Sequence, residues 1–401
     1  CGSMNIKVHG YTFSEYVSKY IVPRYYDVKK RSFLLTHFHK DHLCGFKYIL
    51  RKHRKYFDKI FIPFTPIDAN GRALLIELAI YAFTFLRRQK NCSLVSTSAI
   101  FIFDFLVHNC GAEFIFTIKK GDVLNILNQK YSVLNPNSYD FNFSTNFAGT
   151  VEKLDDFIRL ENGNKAAGDF LRLKHDFCKE YIRCCNLCHV NGNRNCAKIY
   201  ESCKIQKELI LKISKLIPDL RRLKYLGEIE CILNSKELYF EYSYMQNSSS
   251  VVFQNAFKTD KENILMTGDI TAEYLGMLKK ELFGSYNVVK APHHGTKSYY
   301  SDVLNVINVN NFLISNGVYH AGGPISEEYI YNRSIKHCTE NKICKYFLSN
   351  NFCCNRLSYC NNLVYNGDMA IHCKNRLNII GASGCNIYVV SGNLDKGCFC
   401  D

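Results

Sequence analysis

The sequence predicts a mixed α/β fold interrupted by a helical, cysteine-rich insertion, and three observations predict it. Short apolar runs that end in polar loops alternate with amphipathic stretches, the pattern of strands and helices packed in layers. One such run, Arg31 to Thr36, leads straight into a cluster of histidines. The alternation breaks at Asn135-Pro136-Asn137-Ser138 and returns only at Ser250-Val251-Val252-Phe253, leaving a polar, basic, cysteine-rich stretch between. These breaks predict a first half over 4–138, an insertion over 139–245, and a second half with a C-terminal extension over 246–401.

Taken in order, Arg31 to Thr36 reads as a strand and Leu43 to Arg54 as a helix, with Leu43, Phe46, Lys47 and Leu50 spaced for one buried face. Lys59 to Pro63 reads as the next strand, Arg72 to Arg88 as a long helix, and Ala99 to Asn109 as another that stops at Gly111. Strands follow at Glu113 to Thr117, Asp122 to Ile126 and Tyr131 to Leu134. Beyond the insertion, Asn263 to Thr267 ends in Gly268-Asp269, Asn287 to Ala291 ends in Pro292-His293-His294-Gly295, and Asn311 to Ser315 ends in Asn316-Gly317.

A chain of 401 residues that is 47% apolar can bury a sizeable core. No uninterrupted apolar run reaches membrane-spanning length, so no membrane insertion is expected. Cys1-Gly2-Ser3 ahead of Met4 reads as a cloning remnant, and no secretion signal is visible. The 20 cysteines then read as thiols of a reducing, cytoplasmic compartment rather than as disulfides. A formal charge of +15 would draw the chain to phosphate polyanions, nucleic acid first. Abundant Lys, Asn, Ile and Tyr with no Trp is equally what an AT-rich codon usage produces.

Three imidazoles and a carboxylate stand within Thr36-His37-Phe38-His39-Lys40-Asp41-His42, at the end of an apolar strand. Imidazole and carboxylate are natural ligands of zinc, manganese and iron, and a turn after a strand can converge alternate side chains on one point. His37 and His39 are expected to hold one ion, with Asp41 and His42 turned toward a second.

This spacing resembles the His-x-His-x-Asp-His signature of the metallo-β-lactamase superfamily. Downstream, Thr267-Gly268-Asp269 resembles the turn that supplies the carboxylate between two metals. Val288 to Ser298, with Pro292-His293-His294-Gly295-Thr296-Lys297-Ser298, resembles the His-His-Gly-Ser-Lys segment of the branch containing the hydrolase domain of the DNA-uptake protein ComEC and phosphorylcholine esterases. The likeness covers roughly residues 30–135 and 245–330.

The resemblance implies a four-layer αββα sandwich and a site holding one or two zinc or manganese ions. It implies that Asp269 bridges the ions, that His294 binds the second, and that His293 and Ser298 stand behind the ligands or touch substrate. Most members carry another histidine between the first motif and the bridging aspartate. Here Asn247-Ser248-Ser249-Ser250 resembles the branch's Asn-Ser segment, and Asn247 is the weaker substitute. Asp41, Lys297 and His320 are the expected catalytic residues, Lys297 neutralising phosphate charge and His320 protonating a leaving oxygen. Lys290 is the lesser candidate for the same charge role.

Within the insertion, Cys185, Cys188, Cys196 and Cys203 include a C-x-x-C spacing that could hold structural zinc, and high cysteine usage explains them comparably well. The expected activity is attack on a phosphodiester by a metal-bound hydroxide, with nucleic acid or a smaller phosphodiester as substrate. Lactone or β-lactam-type hydrolysis, and a catalytically weak scaffold of the same fold, are the alternatives.

Overall fold

Residues 7–8, 11–64, 72–84, 98–126, 129–137, 144–161, 163–259, 263–315, 327–329, 345–348, 363–365, 368–374, 376–382 and 387–390 are described by a computed structural model. Strands β1 (Lys7–Val8) and β2 (Tyr11–Thr12) form a small hairpin ahead of the short helices α1 (Phe13–Tyr16) and α2 (Val22–Arg24). Strand β3 (Ser32–Leu34) then runs into the histidine motif, and α3 (Lys40–Lys52) begins inside that motif rather than after it. Leu43, Phe46, Ile49 and Leu50 are the buried face of α3.

Strand β4 (Lys59–Pro63), helix α4 (Arg72–Ala79), helix α5 (Ser98–Asn109) and strand β5 (Ile115–Ile118) follow. The expected helix over Arg72 to Arg88 passes into a wider π-type turn at Ile80–Thr84. Strands β3, β4 and β5 form a parallel three-stranded sheet.

Strands β6 (Val123–Ile126) and β7 (Gln129–Asn135) open a second, mixed sheet. The chain leaves it for five helices: α6 (Thr145–Arg159), α7 (Lys165–Leu187), α8 (Cys196–Leu220), α9 (Leu226–Leu233) and α10 (Lys236–Ser248). The starts of α6, α7, α8 and α10 are set by Ser144, Asn164, Asn195 and Ser235, whose side chains accept first-turn N–H groups. The chain returns as β8 (Val252–Asn255), paired antiparallel with β7, so the strands flanking the insertion are neighbours.

After β8 come β9 (Ile264–Met266), α11 (Ala272–Met277), β10 (Ser285–Lys290) and β11 (Asn308–Ile314). Strands β12 (Lys345–Leu348) and β13 (Leu363–Tyr365) complete an eight-stranded sheet of order β13-β12-β11-β10-β9-β8-β7-β6, parallel from β9 to β13. Strands β14 (Asp368–Lys374), β15 (Arg376–Ala382) and β16 (Ile387–Val390) form a separate three-stranded sheet.

Three apolar clusters hold these elements together. Phe61, Ile118, Leu124, Tyr131, Val133 and Val251 pack side chains of the three-stranded sheet against those of the mixed sheet. Leu265, Val289 and Phe312 of the mixed sheet pack with Leu275 and Leu278. The largest cluster joins α3, α4 and α5 to every helix of the insertion, through residues such as Phe46, Leu78, Phe103, Phe170, Ile213 and Tyr242. The insertion thus shares the core of the first half. Among the described residues no helix is long and apolar enough to cross a membrane.

Candidate metal centre

The site is assembled where parallel strands end. Leu35 N donates to Phe61 O at 2.9 Å, which keeps the chain extended past β3, and Val251 N donates to Thr36 O at 2.9 Å, which ties the motif to the lead-in of β8. His39 is the extended residue before α3, so Asp41 and His42 lie in that helix's first turn, where free N–H groups favour an anionic side chain. Asp269 follows β9, His294 follows β10, and Ser315 follows β11. In parallel sheets this edge is where ligands bind.

Two imidazole nitrogens and two carboxylate oxygens meet there. His42 Nε2 lies 3.2 Å from Asp269 Oδ2 and 3.4 Å from Asp41 Oδ2. His294 Nε2 lies 3.2 Å from Asp41 Oδ2 and 3.4 Å from Asp269 Oδ2. Among the described residues, Asp41, His42, Asp269 and His294 are the group of His, Cys, Asp or Glu whose ligand atoms all lie within 4.8 Å of one another. A tetrahedral zinc with bonds of about 2.0–2.2 Å needs its donors roughly 3.4 Å apart. The four measured separations match that edge.

The surrounding contacts orient these donors. His294 Nδ1–H donates to Ser315 O at 2.6 Å, which turns Nε2 toward the carboxylates. Thr36 Oγ1 lies 3.1 Å from His37 Nδ1 and 3.2 Å from His42 Nδ1. Ser250 Oγ accepts Asp269 N–H at 3.1 Å and lies 3.2 Å from His37 Nδ1. His37 Nε2 is buried with no hydrogen-bond partner, 4.0 Å from Asp269 Oδ2. An orphaned buried nitrogen costs stability and fits a missing ligand. His39 Nε2 instead meets Ser243 Oγ at 3.3 Å, on α10 of the insertion.

Backbone strain is concentrated here. His293 and His294 are consecutive non-glycine residues at φ 40° and 60°, a left-handed conformation that L-residues disfavour and that functional sites retain. Gly268 sits at φ 56°, and a Cβ there would lie 2.9 Å from Ser250 Cβ and 3.2 Å from Thr36 Cβ. Only glycine lets Asp269 approach.

Charge is equally organised. Lys290, expected as the lesser of two phosphate-neutralising lysines, is buried and donates to Gly268 O at 2.5 Å and Asp269 Oδ1 at 3.1 Å. Burial works against ionised Asp269, but Lys290, His42 and His294 outweigh it and hold the carboxyl well below its usual range. Burial likewise opposes ionised Asp41, and His42 with His294 outweighs it. Burial disfavours charged His42, yet Asp269 and Asp41 raise it to about 9, and they raise His294 in the same way. Burial lowers His37 well below the usual histidine range and brings His39 and His293 to about 4.

The tight group therefore combines Asp41 and His42 with Asp269 and His294, while His37 flanks it and His39 turns toward Ser243. His293 stacks on Tyr299, ring centroids 3.8 Å apart, and its Nδ1 meets Thr296 Oγ1 at 3.0 Å. Asn247 is buried and its Nδ2 donates to Tyr299 Oη at 2.8 Å. Lys297, expected to neutralise phosphate charge, lies on the turn after Gly295 with its side chain 80% exposed and Nζ 3.7 Å from Glu328 Oε1. Ser298, on the same turn, is also exposed. His320 lies outside the described residues.

The expected cysteine site is not gathered into a compact ligand group. Cys185, Cys188 and Cys203 are buried, but Cys196 opens α8 exposed to solvent. Helix α7 extends to Leu187, and the thiols of Cys188 and Cys203 instead meet that of Cys184, one turn before Cys188. His189 is a structural partner of Asp122, with Nε2 2.9 Å from Oδ1. Sequence reasoning missed Ser243 and Tyr299 and undervalued Lys290. A lysine ending the apolar run Asn287-Val288-Val289-Lys290 was the available signal for the last.

Comparison of the chain with protein-family models, curated proteins and solved structures found no match in any of the three.

Proposed function

We propose that the chain is a metal-dependent hydrolase acting on phosphodiesters, built on a metallo-β-lactamase-type αββα sandwich. The observation that carries this reading is the convergence of Asp41, His42, Asp269 and His294 at tetrahedral-edge separations, with the orphaned His37 Nε2 beside them. The three apolar clusters support the layered reading, since one lies between the sheets and the others join each sheet to helices.

Asp41, His42, Asp269 and His294 would hold a zinc or manganese ion, and His37 with the shared Asp269 would hold a second. Such ions acidify water and offset negative charge on a substrate oxygen. The protein's own part is to keep the donors ready. Lys290 keeps Asp269 ionised, Ser315 O fixes the His294 tautomer, and Ser250 positions both Asp269 and His37. The formal charge of +15 favours a phosphate-bearing substrate over a neutral lactam or lactone.

Protein reconstituted with zinc or manganese is tested on bis-p-nitrophenyl phosphate, linear and circular DNA, RNA and nitrocefin, beside Asp269→Ala. Metal-dependent cleavage of a phosphodiester that Asp269→Ala loses is the expected result. Activity on nitrocefin alone, or equal activity in the variant, overturns the reading.

A further inference from the structure

Tyr299 is held in place on two sides. Its ring lies nearly parallel to His293, at an interplanar angle of 14° and a centroid distance of 3.8 Å, and its hydroxyl meets Asn247 Nδ2 at 2.8 Å. Asn247 is 1% exposed, and its Oδ1 has no hydrogen-bond partner. Tyr299 itself is partly exposed. One turn before Asn247 on α10, Ser243 touches His39, while His293 precedes His294. The pair therefore stands between the His39 side and the His294 side of the centre.

The hydrogen bonding of this pair is incomplete. As oriented, Asn247 donates to Tyr299 and the phenolic hydrogen is left over, while Oδ1 is buried without a donor. Turning the amide over lets Tyr299 donate to Oδ1 and leaves the amide hydrogens over instead. Either way the pair keeps an unused donor, and a buried amide atom is left unsatisfied. As oriented, a ligand oxygen placed against the pair accepts the phenolic hydrogen of Tyr299, whose hydroxyl Asn247 holds from the other side. Oxygens that gain charge in a transition state are stabilised by such fixed donors.

We propose that Asn247 and Tyr299 together form the oxyanion-binding element of the site, donating a hydrogen bond to a non-bridging oxygen of the phosphate group. This deepens the phosphodiesterase reading and rests on it. It also assigns a task to α10, because the insertion then supplies part of the substrate site.

The test uses the full chain loaded with zinc or manganese. Tyr299→Phe removes the hydroxyl and keeps the ring stack, and Asn247→Asp keeps the shape while replacing the amide donor with a negative charge. Inorganic phosphate binding is measured by titration calorimetry, bis-p-nitrophenyl phosphate turnover by absorbance, and metal content by elemental analysis. With metal content and Tm unchanged, Tyr299→Phe is expected to weaken phosphate binding about tenfold and lower kcat by about a hundredfold, with a smaller change in KM. Asn247→Asp is expected to bind phosphate more weakly still.

Phosphate affinity and kcat within twofold of wild type in Tyr299→Phe overturn the proposal, as does a wild-type protein that binds metal but no phosphate. A wild-type protein that binds phosphate through this pair yet cleaves no phosphodiester overturns the hydrolase reading and leaves the pair's assignment standing.

Discussion

At the scale of single residues, Asp269 owes its close approach to Gly268 and its charge balance to Lys290. His37, His39, Asp41 and His42 announce themselves by spacing on one turn, and Asp269 and His294 follow strands whose ends must share an edge. Lys290, Ser243 and Tyr299 act through neighbours 21, 204 and 52 residues away, and no local pattern encodes those approaches. Two substitutions test the supports. Gly268→Ala forces a Cβ against Ser250 and Thr36 in a left-handed backbone, so it should weaken zinc binding at least about tenfold, as second-shell losses do. Unchanged affinity in a chelator competition would remove Gly268 from the argument. Lys290→Met strips Asp269 of its buried counter-charge, and the metal-free variant should lose about 3 kcal/mol in denaturant unfolding. Added zinc should then stabilise it more than wild type; equal stabilisation of the two counts against the pairing.

At the scale of elements, α10 faces two environments at once. Ser243 meets His39 and Asn247 meets Tyr299, while on another face Tyr242 donates to the buried Glu77 of α4 and Gln246 donates to Tyr242. Glu77 accepts hydrogen bonds from Tyr242 Oη and, at 3.2 Å, from Ile100 N, yet burial still pushes its carboxyl up to about 8. The helix expected over Arg72 to Arg88 did not disclose this contact, because a glutamate on an apolar helix reads as solvated until its partners are known. The proton stays on Glu77 in the folded chain from about pH 4.5 to about pH 8, where the unfolded chain has lost it. Stability is therefore fully present below that window and falls as pH rises through it, by up to about 1.4 kcal/mol per pH unit. Glu77→Gln keeps an acceptor without the ionisation and should flatten that decline in urea midpoints between pH 5 and 8. A slope identical to wild type would mean that Glu77 does not carry it.

At the scale of the whole molecule, the helical stretch between β7 and β8 is tied to the first half of the chain. Its α7–α8 connection lies along β5: Thr117 N donates to Cys188 O at 3.0 Å, Val190 N donates to Thr117 O at 3.1 Å, and His189 reaches Asp122. Arg194 secures the same edge. Its Nη2 donates to Ile115 O at 2.7 Å and Ala112 O at 2.9 Å, and its guanidinium lies 3.8 Å from the Phe116 ring centroid. With the large apolar cluster also shared between α3–α5 and α6–α10, the helices cannot unfold without exposing the core that carries the histidine motif. Unfolding in urea should then be one transition by circular dichroism and by tyrosine fluorescence. Arg194→Ala leaves carbonyls unpaired and the Phe116 face bare, so it should lower the single midpoint by an amount equivalent to about 2–4 kcal/mol with the m-value unchanged. A variant that unfolds in two steps, the helices first, would instead make the insertion an independent unit and leave the proposed task of α10 without its scaffold.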